Sequence, residues 1–276
     1  MKYTKNAHFS GLGQQERQRL AQILRSTKGL ITVSQAAQVW ALSPQQTAKI
    51  LALYNEKGWF KRIRRGAYIP VPLSSETSDI VPEEPFVVAT ELFSPCYIGG
   101  ANAANYWGLT EQIFIDITVI TSKLLIDRMQ NIAGTQYRLH TLKPAAFYGL
   151  KTVWFGNNQV KISDPSKTIV DMLMFPQFFG GIRFINEVLV QYFQSEHKAT
   201  ELLLDYLKKA NNGAVLKRLG FLLEMNAVNE PELINYCQMN LTQGYAKLNP
   251  SQKCPRLIRK WRIGLPESWK EKFDDR

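Results

Sequence analysis

Apolar positions at the start of the chain recur at helical spacing in three short runs and then switch to strand-like alternation. Leu20, Ile23 and Leu24 mark one face of a helix over residues 14–28, and Gly29 follows where a helix C-terminus favours glycine. Val33, Ala36, Ala37 and Trp40 recur at i, i+3, i+4 and i+7, which predicts a second, short helix opened by Thr32 or Ser34 and stopped before Pro44. A third helix starts at Ser43-Pro44-Gln45-Gln46, where Ser43 caps, Pro44 takes the first helical position and Gln46 completes a capping box. Thr47, Ile50, Leu51 and Tyr54 share its inner face, Gln45, Gln46, Lys49 and Ala52 point elsewhere, and Gly58 ends it. Trp59 to Pro70 then reads as a β-hairpin with Arg64-Arg65-Gly66 at its tip. Two helices joined by a short turn, followed by a basic hairpin, predict a winged helix-turn-helix over residues 1–73.

The pattern beyond it is of another kind. Residues 70–85 (PVPLSSETSDIVPEEP) are too polar and proline-rich for a core element, so a linker is placed at 74–85 and a second domain at 86–276. Phe86–Leu92 and Ala101–Trp107 read as helical, Phe114–Thr121 and Gln136–Leu142 as strands, and Thr152–Phe155 with Gln159–Ile162 as a hairpin. From Asp164-Pro165 the spacing turns helical. Five helices are predicted: one through Met174, then segments carrying Phe184 to Tyr192, Leu202 to Leu207 and Val215 to Leu223, and one starting at Pro231. The fold class is therefore α+β, a winged helix followed by a larger mixed domain with strands first and helices after.

Charge sharpens this division. The formal net charge is +11, and residues 1–73 hold twelve basic side chains against Glu16 and Glu56, a net of +10; the remaining 203 residues hold 22 basic and 21 acidic groups. Such asymmetry marks a module for a polyanion joined to a nearly neutral partner. Gln45, Gln46 and Lys49 are the candidates to read base edges, glutamine suiting adenine and lysine suiting guanine, and Lys61, Arg62, Arg64 and Arg65 are the candidate phosphate contacts. A structural three-helix domain with a solvated basic face fits the periodicity too, but the concentration of charge argues against it. An RNA ligand suits the same scaffold; no RNP-type aromatic pattern is present, and duplex DNA is the preferred reading. Residues 253–262 hold Lys253, Arg256, Arg259, Lys260 and Arg262 without an acid, either an edge strand with a second basic patch or a solvated charged face.

Motifs for other chemistry are thin. Cys96, Cys237 and Cys254 show no paired spacing, and His8, His140 and His197 show no metal-ligand spacing, so reduced thiols and no metal or cofactor are expected. Ser163 to Thr168 ends in Lys-Thr but lacks the glycines of a phosphate-binding loop, and reads more simply as a capped helix start. A metal-dependent nuclease carried by the winged helix is the alternative function; Glu91 and Asp116 are its candidate carboxylates, yet the strand after Asp116 supplies no acid-x-lysine pair. The glycines and alanines of Gly99 to Ala104, followed by Tyr106 and Trp107, suit close packing of another element. No apolar run reaches the length of a membrane span and no secretory signal is visible, so a cytoplasmic, non-enzymatic protein is expected.

With these residues in view, the chain resembles the AbiEi family of antitoxins of type IV toxin–antitoxin systems, which are linked to abortive infection. The resemblance is carried by Arg64-Arg65-Gly66-Ala67-Tyr68, YIGGANAANYWGLTEQ from Tyr97 to Gln112, ISDPSKTIVDML from Ile162 to Leu173, and RLGFLLE from Arg218 to Glu224. It implies an autorepressor that binds inverted repeats in its own promoter as double-stranded DNA through the winged helix. It also implies that the larger domain opposes a nucleotidyltransferase-like toxin. The implied DNA role falls on Gln45, Gln46, Lys49, Arg62, Arg64 and Arg65, and no catalytic residue is implied.

Overall fold

A computed structural model describes residues 11–27, 29–71, 85–132, 134–156 and 158–272, with side chains through Trp269. Most of the expected linker, and His8, lie outside the described residues. In chain order the elements are α1 (Gln14–Ser26), β1 (Ile31–Thr32), α2 (Val33–Trp40), α3 (Pro44–Glu56), β2 (Phe60–Arg64) and β3 (Ala67–Pro70). Next come α4 (Pro85–Phe93), β4 (Cys96–Ile98), α5 (Gly100–Tyr106), β5 (Ile117–Thr121), β6 (Met129–Ile132), β7 (Thr135–Thr141), β8 (Leu150–Phe155) and β9 (Asn158–Ser163). The rest is α6 (Pro165–Met174), α7 (Gly181–Gln194), α8 (Thr200–Ala210), α9 (Gly213–Met225), α10 (Pro231–Met239), β10 (Ala246–Lys247), β11 (Arg256–Ile258) and β12 (Ile263–Leu265). The strand orders are β1-β3-β2, β6-β7-β5-β4-β9-β8 and β10-β12-β11. This is the expected α+β architecture, with the winged helix first, then strands, then helices.

By contacts the chain forms two compact units, each discontinuous in sequence: Met1–Cys96 with Ile115–Thr141 and Thr152–Val160, and Tyr97–Phe114 with Leu142–Lys151 and Lys161–Arg276.

In the first unit, local signals set the helix starts. Thr32 and Gln35 cap α2 reciprocally, as Ser43 and Gln46 cap α3. α1 ends at Ser26, short of the predicted 28, with the Thr27 hydroxyl donating to the Ile23 carbonyl at 2.7 Å. Leu20, Ile23, Ile31, Ala36, Trp40, Leu51, Tyr54, Phe60 and Tyr68 form one buried cluster under the three helices and the hairpin. Leu24 is exposed, so only Leu20 and Ile23 of its predicted face enter that core. β5 lies parallel to β7 and β6 antiparallel to it. Every residue of β5 is buried, as befits a central strand with both faces covered.

The second unit is built around α6, where every residue from Ser166 to Leu173 is buried, including Lys167 and Asp171. α5 packs against α6, which also meets α7, α8 and α9. Asp164 caps α6 by accepting from the Lys167 amide, and Arg218 of α9 donates to the Leu173 carbonyl at its other end at 2.7 Å. The strand expected from Phe114 begins only at Ile117; the Phe114 ring instead packs on Phe184 at 5.1 Å. β11 is the edge strand suggested by the C-terminal pattern, although two of its neighbouring cations are engaged: Lys260 pairs with Glu224, and Arg262 donates to the Thr242 carbonyl at 3.0 Å.

The small-residue run at α5 is close packing. Gly100 has φ +59°, and a Cβ there would lie 2.3 Å from the Phe179 ring. Left-handed strain and overlap act together, so Gly100→Ala is expected to destabilise the protein by about 2–4 kcal/mol, measured by urea denaturation beside the wild type.

Candidate nucleic-acid interface

The turn between α2 and α3 is Ala41-Leu42-Ser43, with Ala41 left-handed at φ 50° and donating its amide back to the carbonyls of Ala37 and Gln38. The inner face of α3 buries Thr47, Leu51 and Tyr54. That leaves Gln45, Gln46 and Lys49 exposed on the outside, where a helix entering the major groove presents its readers.

The two glutamines are not equivalent. Gln46 Oε1 accepts from the Ser43 hydroxyl at 3.0 Å and the Ser43 amide at 3.3 Å, so its carbonyl is committed to the cap. Bidentate reading of adenine needs both ends of the amide, which the Gln45 side chain retains and that of Gln46 does not.

The hairpin follows directly. Arg62 pairs with Tyr68 and Arg64 with Ala67, so Ile63 is extra and the strand bulges next to the tip. Gly66, at φ 78°, closes the turn in the left-handed conformation that glycine adopts without Cβ strain. Arg62, Arg64 and Arg65 are exposed and Lys61 is half-buried. The Arg62 amide donates to Asn55 Oδ1 of α3 at 2.7 Å, which ties the wing to that helix. Asn55 had no signal in the sequence, because its role is defined by a partner seven residues away across a turn. The Arg64 guanidinium turns back onto α4, donating to the Leu92 carbonyl at 3.1 Å.

Glu16, one of the two acids of this region, is held by Lys57 at 2.8 Å. That hydrogen bond and the one from the Gly13 amide hold its carboxyl below the ordinary carboxylate range. Because the folded value lies below the unfolded one, the pair's contribution is fully present above the ordinary range and is lost as pH falls through the depressed value.

The residues considered for other chemistry have separate partners. Glu91 accepts from Gln35 at 3.0 Å, and Asp116 accepts from Arg138 at 2.7 Å. Among the described residues no three His, Cys, Asp or Glu side chains are grouped to hold a metal ion. None of the three cysteines forms a disulfide. Lys167, which ends no phosphate loop, is buried against Asp171 and lies 4.8 Å from the centre of the Tyr148 ring. Tyr97 donates to the other oxygen of Asp171 at 2.8 Å, and burial raises the carboxyl of Asp171 despite the adjacent ammonium. Removing one partner of such a pair strands a charge. Lys167→Met is therefore expected to cost about 3–5 kcal/mol, and Lys167→Met with Asp171→Leu to recover most of it, by chemical denaturation. In an NMR titration the Glu16 carboxyl is expected to move up towards the ordinary range in Lys57→Ala, the Gly13 amide still donating to it.

No helix among the described residues is long and apolar enough to cross a membrane. No curated protein matches the sequence. A solved structure described as "Crystal structure of RV2827C protein from Mycobacterium tuberculosis" has a TM-score of 0.62 over 95% of this chain and 95% of that chain, at 11% identity. At that identity the likeness is one of fold. Residues 18–71 match the family model described as "Transcriptional regulator, AbiEi antitoxin", so the winged helix of this chain, from within α1 to the end of the hairpin, is similar to that of the AbiEi regulators.

Proposed function

We propose that the chain is a DNA-binding transcriptional autorepressor and the antitoxin of a type IV toxin–antitoxin pair. The observation that carries this reading is the coincidence of a net charge of +10 over residues 1–73 with an exposed α3 face and a basic wing. In this reading residues 1–73 bind promoter inverted repeats, 74–85 link, and 86–276 oppose a nucleotidyltransferase-like toxin. α3 lies in the major groove, with Gln45 positioned for a bidentate contact to adenine and Lys49 for guanine. Gln46 offers only its Nε2 donors beyond the cap. Lys61, Arg62 and Arg65 neutralise phosphate, which binds every sequence and makes affinity salt-dependent. The family match over residues 18–71 supports a regulatory role rather than an enzymatic one.

The test is binding of the purified chain to its own upstream DNA, against a scrambled duplex of equal length, over a salt series. Preference for the upstream duplex with affinity falling steeply in salt is expected; equal or absent binding would overturn the DNA reading. Gln45→Ala is expected to reduce discrimination at one base step by about 1–3 kcal/mol while leaving the salt slope unchanged. Antitoxicity is tested by co-expressing the chain with a nucleotidyltransferase encoded beside it, where restored growth is the expected result and unrelieved toxicity the contrary one.

A further inference from the structure

The winged helix is braced by α4, an element that lies beyond the family match. Arg64 of the wing donates from Nη2 to the carbonyl of Leu92 at 3.1 Å, and its guanidinium stands 5.7 Å from the centre of the Phe93 ring. Lys123 reaches the same carbonyl at 3.5 Å. Two cations thus converge on the C-terminal end of a helix, where the backbone dipole favours positive charge. Partial desolvation of its guanidinium lowers the Arg64 pKa.

A second tie reaches the helix-turn-helix. Gln35 caps α2 through Oε1, which accepts from the Thr32 amide at 2.9 Å, while its Nε2 donates to Glu91 of α4 at 3.0 Å. One amide therefore fixes the start of α2 and fastens it to α4. The brace is itself anchored. Phe93 is 2% exposed and packs on Tyr137 of β7 at 5.8 Å, and its carbonyl accepts from Thr121 of β5 at 2.7 Å.

We propose that the DNA-binding apparatus extends to α4, with Arg64 and Glu91 as positioning residues that hold the wing and α2 on this helix, and with phosphate contact left to Lys61, Arg62 and Arg65. The proposal rests on the DNA-binding reading. It separates neighbouring arginines of equal charge and like exposure: Arg65, at the turn, acts as a charge, whereas Arg64, engaged by the Leu92 carbonyl and the Phe93 ring, acts through geometry. It also gives Glu91 an effect opposite to plain electrostatics, because removing an acid from a DNA-binding surface should by itself tighten binding to any duplex.

The experiment measures binding of full-length wild type, Arg65→Ala, Arg64→Ala and Glu91→Ala to upstream and scrambled duplexes across a potassium chloride series. Arg65→Ala is expected to lower the slope of log affinity against log salt by about 0.9, the loss of one phosphate contact. Arg64→Ala is expected to keep the wild-type slope while losing about tenfold in affinity for the upstream duplex, consistent with losing a charge-assisted hydrogen bond that sets geometry. Glu91→Ala, at an exposed position where folding is not at stake, is expected to lower the ratio of upstream to scrambled affinity by about threefold or more, the scale of one exposed polar contact. An Arg64→Ala slope reduced like that of Arg65→Ala, an unchanged Arg64→Ala affinity, or an unchanged Glu91→Ala ratio would each overturn the brace while leaving the DNA reading intact. Wild-type protein that does not prefer the upstream duplex would overturn both.

Discussion

What the amino-terminal unit presents to a ligand depends on how Tyr54 is held. Its ring is fully buried, edge-on to Trp40 of α2 at 6.1 Å and to Phe60 of the wing at 5.4 Å. Its hydroxyl donates to the Glu16 carbonyl of α1 at 2.7 Å, and burial pushes that hydroxyl up to about 12, so it stays neutral. One side chain of α3 thereby fixes the helix against the other two helices and the hairpin. Rotating α3 would break two aromatic contacts and leave a buried hydroxyl unpaired, which is costly in an apolar interior. The outward face of α3 is therefore determined by what its inward face cannot give up.

That core is neutral, so the charge of the region is displaced to its surface. Among the described residues of this region nine basic side chains stand against Glu16 and Glu56, and a net of +7 on so small a body repels itself and opposes compaction. One of the two acids, Glu16, is already engaged by Lys57, which leaves the surplus largely uncompensated from within. A polyanionic ligand relieves this repulsion by replacing a diffuse cloud of counterions with fixed phosphates. Tyr54, Asn55 and the two capping boxes hold the surface in one arrangement, which in the proposed DNA-binding role would leave little ordering to be done on binding.

Much of the fold was legible in the sequence because its signals are local. Ser43-Pro44-Gln45-Gln46 and Asp164-Pro165 fixed helix starts to the residue, since a cap, its proline and its acceptor lie within one turn. The missed elements are those whose definition is non-local: β1, β4, β6, β10 and β12 are two to four residues long and exist only through their pairing partners. Phe114 was drawn into a strand because an aromatic ring beside alternating residues looks the same whether it faces a sheet or the side of α7. The contact units interleave along the chain, and a linear reading of proline and charge has no way to express that. Buried Lys167 was equally opaque, because composition places lysine at the surface unless a carboxylate such as Asp171 is known to meet it.

The candidate interface shows the same limit at finer grain. Lys61, Arg62, Arg64 and Arg65 enter a charge count identically, and Gln45 and Gln46 enter a hydrogen-bond inventory identically. What separates them is backbone geometry. A bulge at Ile63 places Arg62 and Arg64 on a strand that no longer alternates regularly, so neighbouring arginines are directed to different surroundings. The α-helical start places Gln46, and not Gln45, three residues after Ser43, where its carbonyl meets the cap. Residue type defines which chemistry is possible at this surface; the position of each side chain relative to a turn, a bulge or a helix end decides which of those chemistries it is free to perform.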